Sequence, residues 1–334
     1  MGRYLIRRTL FLILSLFVIS VLTFLIFVKL PPGDPARRFA GRRATVQQIE
    51  QVREALGLND SVLVQYGRLA KGLVPWPPQS ILTADPDAGF FLNRESFYSY
   101  VNFVPVKEEI YRRLPVTLTL ALGGAAVWVL IGIPIGIVSA IRPRSAVDRA
   151  GMFFALFGVS APVFWLGYVF LYIFWFTLGI APGSGLSPDE SLTEGILRGR
   201  FLLPWIVISL SFAAFYARMV RGNLIETMGE DYIRTARAKG LSERRVIVRH
   251  GLRSALTPVV TMFGMDMGIL LGGAIITETV FNLHGIGDYA IRSLVTNDIP
   301  AVMGVTMLAA FFIVVGNLVV DVVYAFLDPR VRYT

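Results

Sequence analysis

Asp266 stands in the middle of an apolar run, TMFGMDMGILLGG. A charged side chain at the centre of a bilayer costs about 2.5–3.5 kcal/mol on insertion scales, so an acid there needs a use or a partner. The use would be to line a pathway across the membrane. The partner would be a proton, or a hydrogen bond from a neighbouring helix. Around it, Gly264, Gly268 and Gly272 repeat at GxxxG spacing, which lets helices approach closely. That face fits a mobile pore-lining helix against a partner subunit, and equally ordinary packing within the chain. Glu278 follows at the outer end of the same run. It suits a gate-like loop, a cap or a surface position. Asp321, near the inner end of the last apolar run, has Arg218 or Arg221 as a candidate partner.

Other chemistry is excluded by what the chain lacks. There is no cysteine, and the two histidines, His250 and His284, are far apart. Thiolate sites are therefore absent, and neither a histidine-based zinc site nor a histidine-dependent triad is expected. There is no H-E-x-x-H, and no G-x-x-x-x-G-K-[ST] surrounds any lysine, so the chain is not expected to hydrolyse ATP itself.

The elements that position these residues are read from composition. Of 334 residues, 54% are hydrophobic and 16% charged, and mean hydropathy is +0.62. A soluble domain carries about 25% charged residues, so an integral membrane protein is the natural class. Six apolar runs have spanning length: residues 9–30, 115–141, 151–180, 201–220, 255–277 and 301–327. The first is too long for a cleaved signal and lacks a small-residue cleavage site. Pro115 is placed in the first turn of the second span, where no amide hydrogen is needed. Trp165, Tyr168, Tyr172 and Trp175 of the third span read as interfacial belt or core. Residues 31–113 form a long non-spanning insert with helices expected near 46–56 and 59–72. The expected organisation is 1–30 for the amino-terminal tail and first helix, 31–113 for an extracytoplasmic insert, 114–327 for the core, and 328–334 for a cytoplasmic tail.

Charge sets the orientation. With the amino terminus inside, the inner segments carry Arg3, Arg7 and Arg8; Arg142, Arg144 and Arg149; nine bases between 218 and 254; and Arg330 and Arg332. The short outer loops carry Arg198, Arg200 and Arg292. Both termini in the cytoplasm satisfies the positive-inside rule. The net charge of +9 is then an orientation signal, and nucleic acid is not an expected partner.

Between spans four and five lies a hydrophilic stretch, MGEDYIRTARAKGLSERRVIVRHGLRSALTP, residues 228–258. Glu230 and Asp231 favour a helix amino end, and Arg237 and Lys239 the carboxyl end. Gly240 suits a left-handed turn, and Ser242 is a good N-cap for a second helix. Ile233, Ala236, Leu241, Val246, Ile247 and Leu252 interleave with the charges. Such a short, basic, kinked, amphipathic stretch serves as a surface helix that sets topology, as a nucleic-acid arm, or as a docking element for a cytoplasmic partner.

YIRTARAKGLSERRVIVRHGLRSALTPVV resembles the cytoplasmic EAA loop of ABC-importer permeases, in the version of the dipeptide/oligopeptide (and nickel) family. The motif glycine is Gly240. The E-A-A positions are Arg234, Thr235 and Ala236, of which only Ala236 matches the general pattern. PPGDP (31–35), EALGLNDSVLVQYGRLAKGL (54–73), RLPVTLTLAL (113–122), SAPVFWLG (160–167), GGAIITETVFNLHGIG (272–287) and NLVVDVVYAFLDPRVRY (317–333) resemble other family motifs in order.

The resemblance implies an all-α permease of the type I importer fold with six spans, the B-type membrane subunit of a peptide importer in a bacterial or archaeal cytoplasmic membrane. It implies pairing with a homologous C-type permease, two cytoplasmic ATP-binding subunits that use ATP and Mg²⁺, and an extracytoplasmic peptide-binding protein. No cofactor is expected on this chain. Arg234, Thr235, Ala236, Arg237, Ala238, Lys239, Gly240, Leu241 and Ser242 are the implied ATPase-coupling residues. Asp266, Gly268, Gly272 and Glu278 are pathway or gate candidates, Asp266 near the amino end of the peptide. A permease for nickel chelates or another solute is the alternative, with a secondary transporter further behind.

Overall fold

The computed structural model describes residues 2–29, 36–37, 44–55, 58–73, 99, 101–102, 104–183, 185–186 and 190–327. The PPGDP motif, most of the stretch between 74 and 106, and the tail 328–334 lie outside these. Among the described residues every regular element is a helix.

Helix α1 is Gly2–Phe24, extended by a π-helical turn, Leu25–Lys29. Two amphipathic helices follow, α2 at Val46–Ala55 and α3 at Val62–Leu73, where the sequence periodicity places them. Tyr66 of α3 lies against α1, its hydroxyl 2.7 Å from Ser20 Oγ and its ring edge-on to Phe24.

The second span differs from its expectation. α4 runs unbroken over Val106–Ile141, so Pro115 lies in its interior. Pro105 is the proline at the helix start, and Glu108 and Glu109 occupy the first turn. The acids favour that start through the helix dipole, and α4 crosses Pro115 with one hydrogen bond fewer.

The third span is broken. α5, Ala146–Ser160, and α6, Val163–Phe170 with its π-helical continuation Leu171–Thr177, meet at 102°. Ala161 precedes Pro162 and is held extended, with ψ 123°, because the proline ring crowds the helical conformation of the residue before it. The aromatic residues Trp165, Tyr168, Tyr172 and Trp175 stand on the outside of the chain.

After a short helix α7, Leu192–Leu197, whose Ser191 and Glu194 cap one another, α8 runs over Leu202–Met228. Then come α9, Asp231–Ala238, and α10, Glu243–Ala255. α11, Thr257–Leu271, follows α10 at a 46° bend. The fifth span therefore stops earlier than the sequence suggested. Gly273 takes φ +128°, a conformation that ends a helix. Glu278 belongs instead to a separate helix α12, Ile275–Val280. α13, Ile286–Val295, and α14, Ile299–Leu327, are the last described elements. Among the described residues four helices are long and apolar enough to cross a membrane, or up to six crossings if each bent pair counts as one.

α4 lies along α8, α5 and α6 pack on α8, and α11 and α1 pack on α14. Trp128 of α4 is fully buried, stacked on Phe212 at 4.6 Å and close to Tyr216 and Phe263. Helix approach rests on small residues. A side chain at Gly136 would come within 2.6 Å of the Ala217 carbonyl, and one at Gly268 within 3.0 Å of Ile313 Cα. In a membrane, close packing of this kind replaces much of the hydrophobic driving force.

Candidate functional site

The hydrophilic stretch folds into a compact hook beyond the end of α8. Ile233 and Val246 are fully buried and Ala236 nearly so, packed with Met228 and Leu241. Five apolar residues thus give α9 and α10 a small core of their own. Asn223 Nδ2 donates to the Ala255 carbonyl at 3.2 Å and pins the end of α10 to α8. The turn between α9 and α10 is made by Gly240 at φ +75°, a value that L-residues reach only with strain. Arg237 spans that turn and grips Glu243 with two bonds, Nη2 to Oε1 at 2.7 Å and Nε to Oε2 at 3.1 Å. The guanidinium holds the Glu243 carboxyl below its usual range.

The other side of the hook faces outward. Arg234, Thr235, Arg237, Ala238, Lys239, Gly240 and Ser242 are exposed, Leu241 is half-buried, and Ala236 is turned into the hook. Ser242 occupies the N-cap position of α10 without a side-chain capping bond. Two further apolar residues of the stretch, outside 234–242, are exposed, Tyr232 and Val248. Their signal was a large apolar residue among charged neighbours in sequence. Exposed basic and apolar side chains thus share the surface of the hook, with Arg234 paired to Asp231 and Arg237 to Glu243, and a surface of this composition suits a partner by packing and by charge.

Two polar groups sit elsewhere in the chain. Glu278 is fully buried, which removes the surface reading. It accepts from Thr117 Oγ1 at 2.8 Å, from the Asp288 amide at 2.9 Å and from the Ala274 amide at 3.3 Å. Thr117 Oγ1 in turn accepts from the Ile286 amide at 2.8 Å. One carboxylate thereby ties α12 and α13 to α4. Next to it, Asp288 accepts from Arg292 Nε at 2.8 Å and lies 3.6 Å from Arg113, which also bonds Glu109. Asp266 on α11 accepts from the Tyr216 hydroxyl of α8 at 2.7 Å. Gly268 and Gly272 face α14 of the same chain.

Asp321 is corrected in its partner. It pairs with Arg8 of α1 at 2.9 Å, while Arg221 is held by Asp148 of α5 at 2.6 Å. The packing of α1 on α14 brings Arg8 to Asp321, and that of α5 on α8 brings Asp148 to Arg221.

The family model "Binding-protein-dependent transport system inner membrane component" matches residues 132–333, and its amino-terminal companion matches residues 1–121. The chain is 36% identical over 336 residues to the oligopeptide transport system permease protein AppB of Bacillus subtilis strain 168, with both chains covered in full. It is 38% identical over 333 residues to the glutathione transport system permease protein GsiC of Escherichia coli K12, again with both covered in full. Among solved structures, the inward-facing MetNI methionine ABC transporter aligns with TM-score 0.50 and 17% identity. That alignment covers 66% of this chain and 97% of the MetNI chain, and it supports the shared fold. With both family models matched and relatives aligned end to end, this multi-pass membrane chain belongs to the binding-protein-dependent transport system inner membrane component family, the permease components of ABC importers.

Proposed function

We propose that this chain is one of two permease subunits of an ATP-driven peptide importer, with the α9–Gly240–α10 hook as the element that receives motion from a cytoplasmic ATPase. The hook is the observation that carries the reading. It is a small folded unit with its own core and with Arg234, Arg237 and Lys239 exposed, and its α10 limb leads through a 46° bend into the apolar α11. Rigid coupling needs that construction, because an element that deformed under load would not pass motion on to α8 and α11. The names of full-length relatives, an oligopeptide and a glutathione permease, support peptides as the solute class.

In this reading both termini are cytoplasmic, a homologous second permease completes the pathway, and a binding protein delivers peptide on the outer side. Two ATP-binding subunits use ATP and Mg²⁺, while this chain carries no cofactor and performs no hydrolysis. The test is uptake of labelled di-, tri- and longer peptides into proteoliposomes holding the full complex. ATP-dependent accumulation, with copurification of an ATPase bearing the phosphate-binding loop, is the expected result. Accumulation driven by an ion gradient without ATP would overturn the mechanism, and uptake of nickel chelates in place of peptides would overturn the substrate.

A further inference from the structure

α11 presents three faces. Gly264, Gly268 and Gly272 lie on α14. Val259, Met267 and Leu270 are buried in the central core. The third face carries the exposed Pro258, Met265 and Ile269, with Met262 and Asp266 part-exposed between them. The described residues of this chain leave that face open. An entirely apolar face would suit lipid, but Asp266 does not. It sits about 14 Å along α11 from its start and about 8 Å from its end, at 1.5 Å per residue. Ionisable groups at such depth face a bundle interior or a watery path rather than lipid tails.

The carboxylate is also held in place. Its Oδ2 accepts from the Tyr216 hydroxyl at 2.7 Å. Tyr216 is fully buried and lies 6.0 Å from the Trp128 ring, itself fully buried. The hydroxyl is thus fixed by aromatic packing, and it orients the acid. Among the described residues Asp266 makes no ion pair, and its one hydrogen bond there is from Tyr216. A carboxylate with one oxygen fixed and one available, beside aromatic rings, is suited to an ammonium group.

We propose that Asp266, positioned by Tyr216, binds the cationic amino group of the solute inside the translocation path. This rests on the peptide-importer reading and adds to it a contact between solute and permease. The rival occupant of the open face is a helix of the second permease.

The chain has no cysteine, so Met265→Cys places a single thiol beside Asp266 on the open face. In the assembled complex, its labelling by cationic 2-aminoethyl methanethiosulfonate is compared with labelling by the anionic 2-sulfonatoethyl reagent, read as a mass shift on this chain alone. The expected result is faster cationic labelling, by about tenfold for one nearby charge at reduced dielectric, and loss of that preference with Asp266→Asn. A dipeptide with a free amino terminus should slow the labelling, and its N-acetylated form should not. Ile269→Cys repeats the measurement one turn along. No labelling by either reagent at both positions, the same preference with Asp266→Asn, or equal protection by the acetylated peptide would overturn the site. Failure of the unsubstituted complex to accumulate peptide with ATP would instead overturn the importer reading and leave the charge preference standing.

Discussion

Arg221 holds Asp148 by a two-bond fork, Nε to Oδ1 at 2.6 Å and Nη2 to Oδ2 at 2.8 Å. Asp148 lies in the first turn of α5 and is buried, and its Oδ2 also accepts the Arg144 amide at 2.8 Å. Arg144 sits at φ +63°, so one acid fixes the tight turn from α4 to α5 and fastens it to α8. Lysine reproduces the charge without the planar fork. Arg221→Lys is expected to lower the thermal stability of the purified complex modestly. Asp148→Ala should cost more, about 1–3 kcal/mol, a discounted value because Arg221 keeps 27% of its side chain exposed. A thermal unfolding series in detergent measures both, and equal midpoints for all three proteins would refute the fork as a support.

At Gly240 a Cβ would meet nothing within 4 Å. A side chain there costs backbone strain of about 1–2 kcal/mol and clashes with nothing in this chain. Gly240→Arg is therefore expected to insert and accumulate normally while abolishing ATP-driven uptake, because the new side chain projects where a partner would sit. Gly240→Asn, which tolerates the left-handed turn, should retain most uptake. Normal uptake by Gly240→Arg in a well-inserted protein would argue against contact at the turn.

The Arg237–Glu243 clasp across the same turn makes a pH prediction. The carboxyl of Glu243 titrates below its usual range because Arg237 bonds it. The clasp therefore contributes above the ordinary glutamate value, and is lost as pH falls through the lowered one. Uptake should show no titration from this pair near neutrality. The effect is small because both side chains are well exposed. High salt should weaken the clasp more than acidification to pH 5 does. Limited trypsin cleavage in the α9–α10 turn, followed against salt and pH, measures it.

Glu278 is the acceptor for three buried donors, Thr117 Oγ1 and the amides of Ala274 and Asp288. Glu278→Ala leaves all three unsatisfied, at about 1–3 kcal/mol each. The protein is expected to fold poorly or to lose α12 and α13 from α4. Glu278→Gln keeps one acceptor oxygen and should lie between. Hydrogen exchange of the Asp288 amide reads the local effect, and wild-type protection in Glu278→Ala would count against the network.

Gly268 faces backbone, with Ile313 Cα at 3.0 Å and the Phe312 carbonyl at 3.2 Å from an added Cβ. Backbone cannot rotate away as a side chain can. Gly268→Val is expected to push α11 off α14 and destabilise by about 1–3 kcal/mol or more. Gly222, where an added Cβ meets nothing, provides the control, since Gly222→Ala should be neutral or slightly stabilising in its helix. The comparison is made by thermal unfolding of the two variants.

Local quantities in the sequence determined much of this protein. Apolar run length placed the membrane helices, because a bilayer asks for a fixed number of residues. The charge reversal along 230–239 followed by Gly240 placed the α9–α10 turn, because dipole preference and left-handed φ are properties of a few adjacent residues. The motif order identified the family. Of the residues singled out at 234–242, seven are exposed, Leu241 is half-buried and Ala236 is turned into the hook. Tertiary structure alone decided the partners. Asp321 takes Arg8, Arg221 takes Asp148, and Glu278 is enclosed by three helices, since each depends on which helices pack together. Pro115 and Pro162 make the same point. Both are prolines in apolar runs, yet α4 continues through the first and the chain turns 102° at the second. Pro115 loses one hydrogen bond inside a helix held by α8, whereas at Pro162 the chain leaves the helix and gains the packing of α6 on α8 and α12. That balance is set by neighbours distant in sequence.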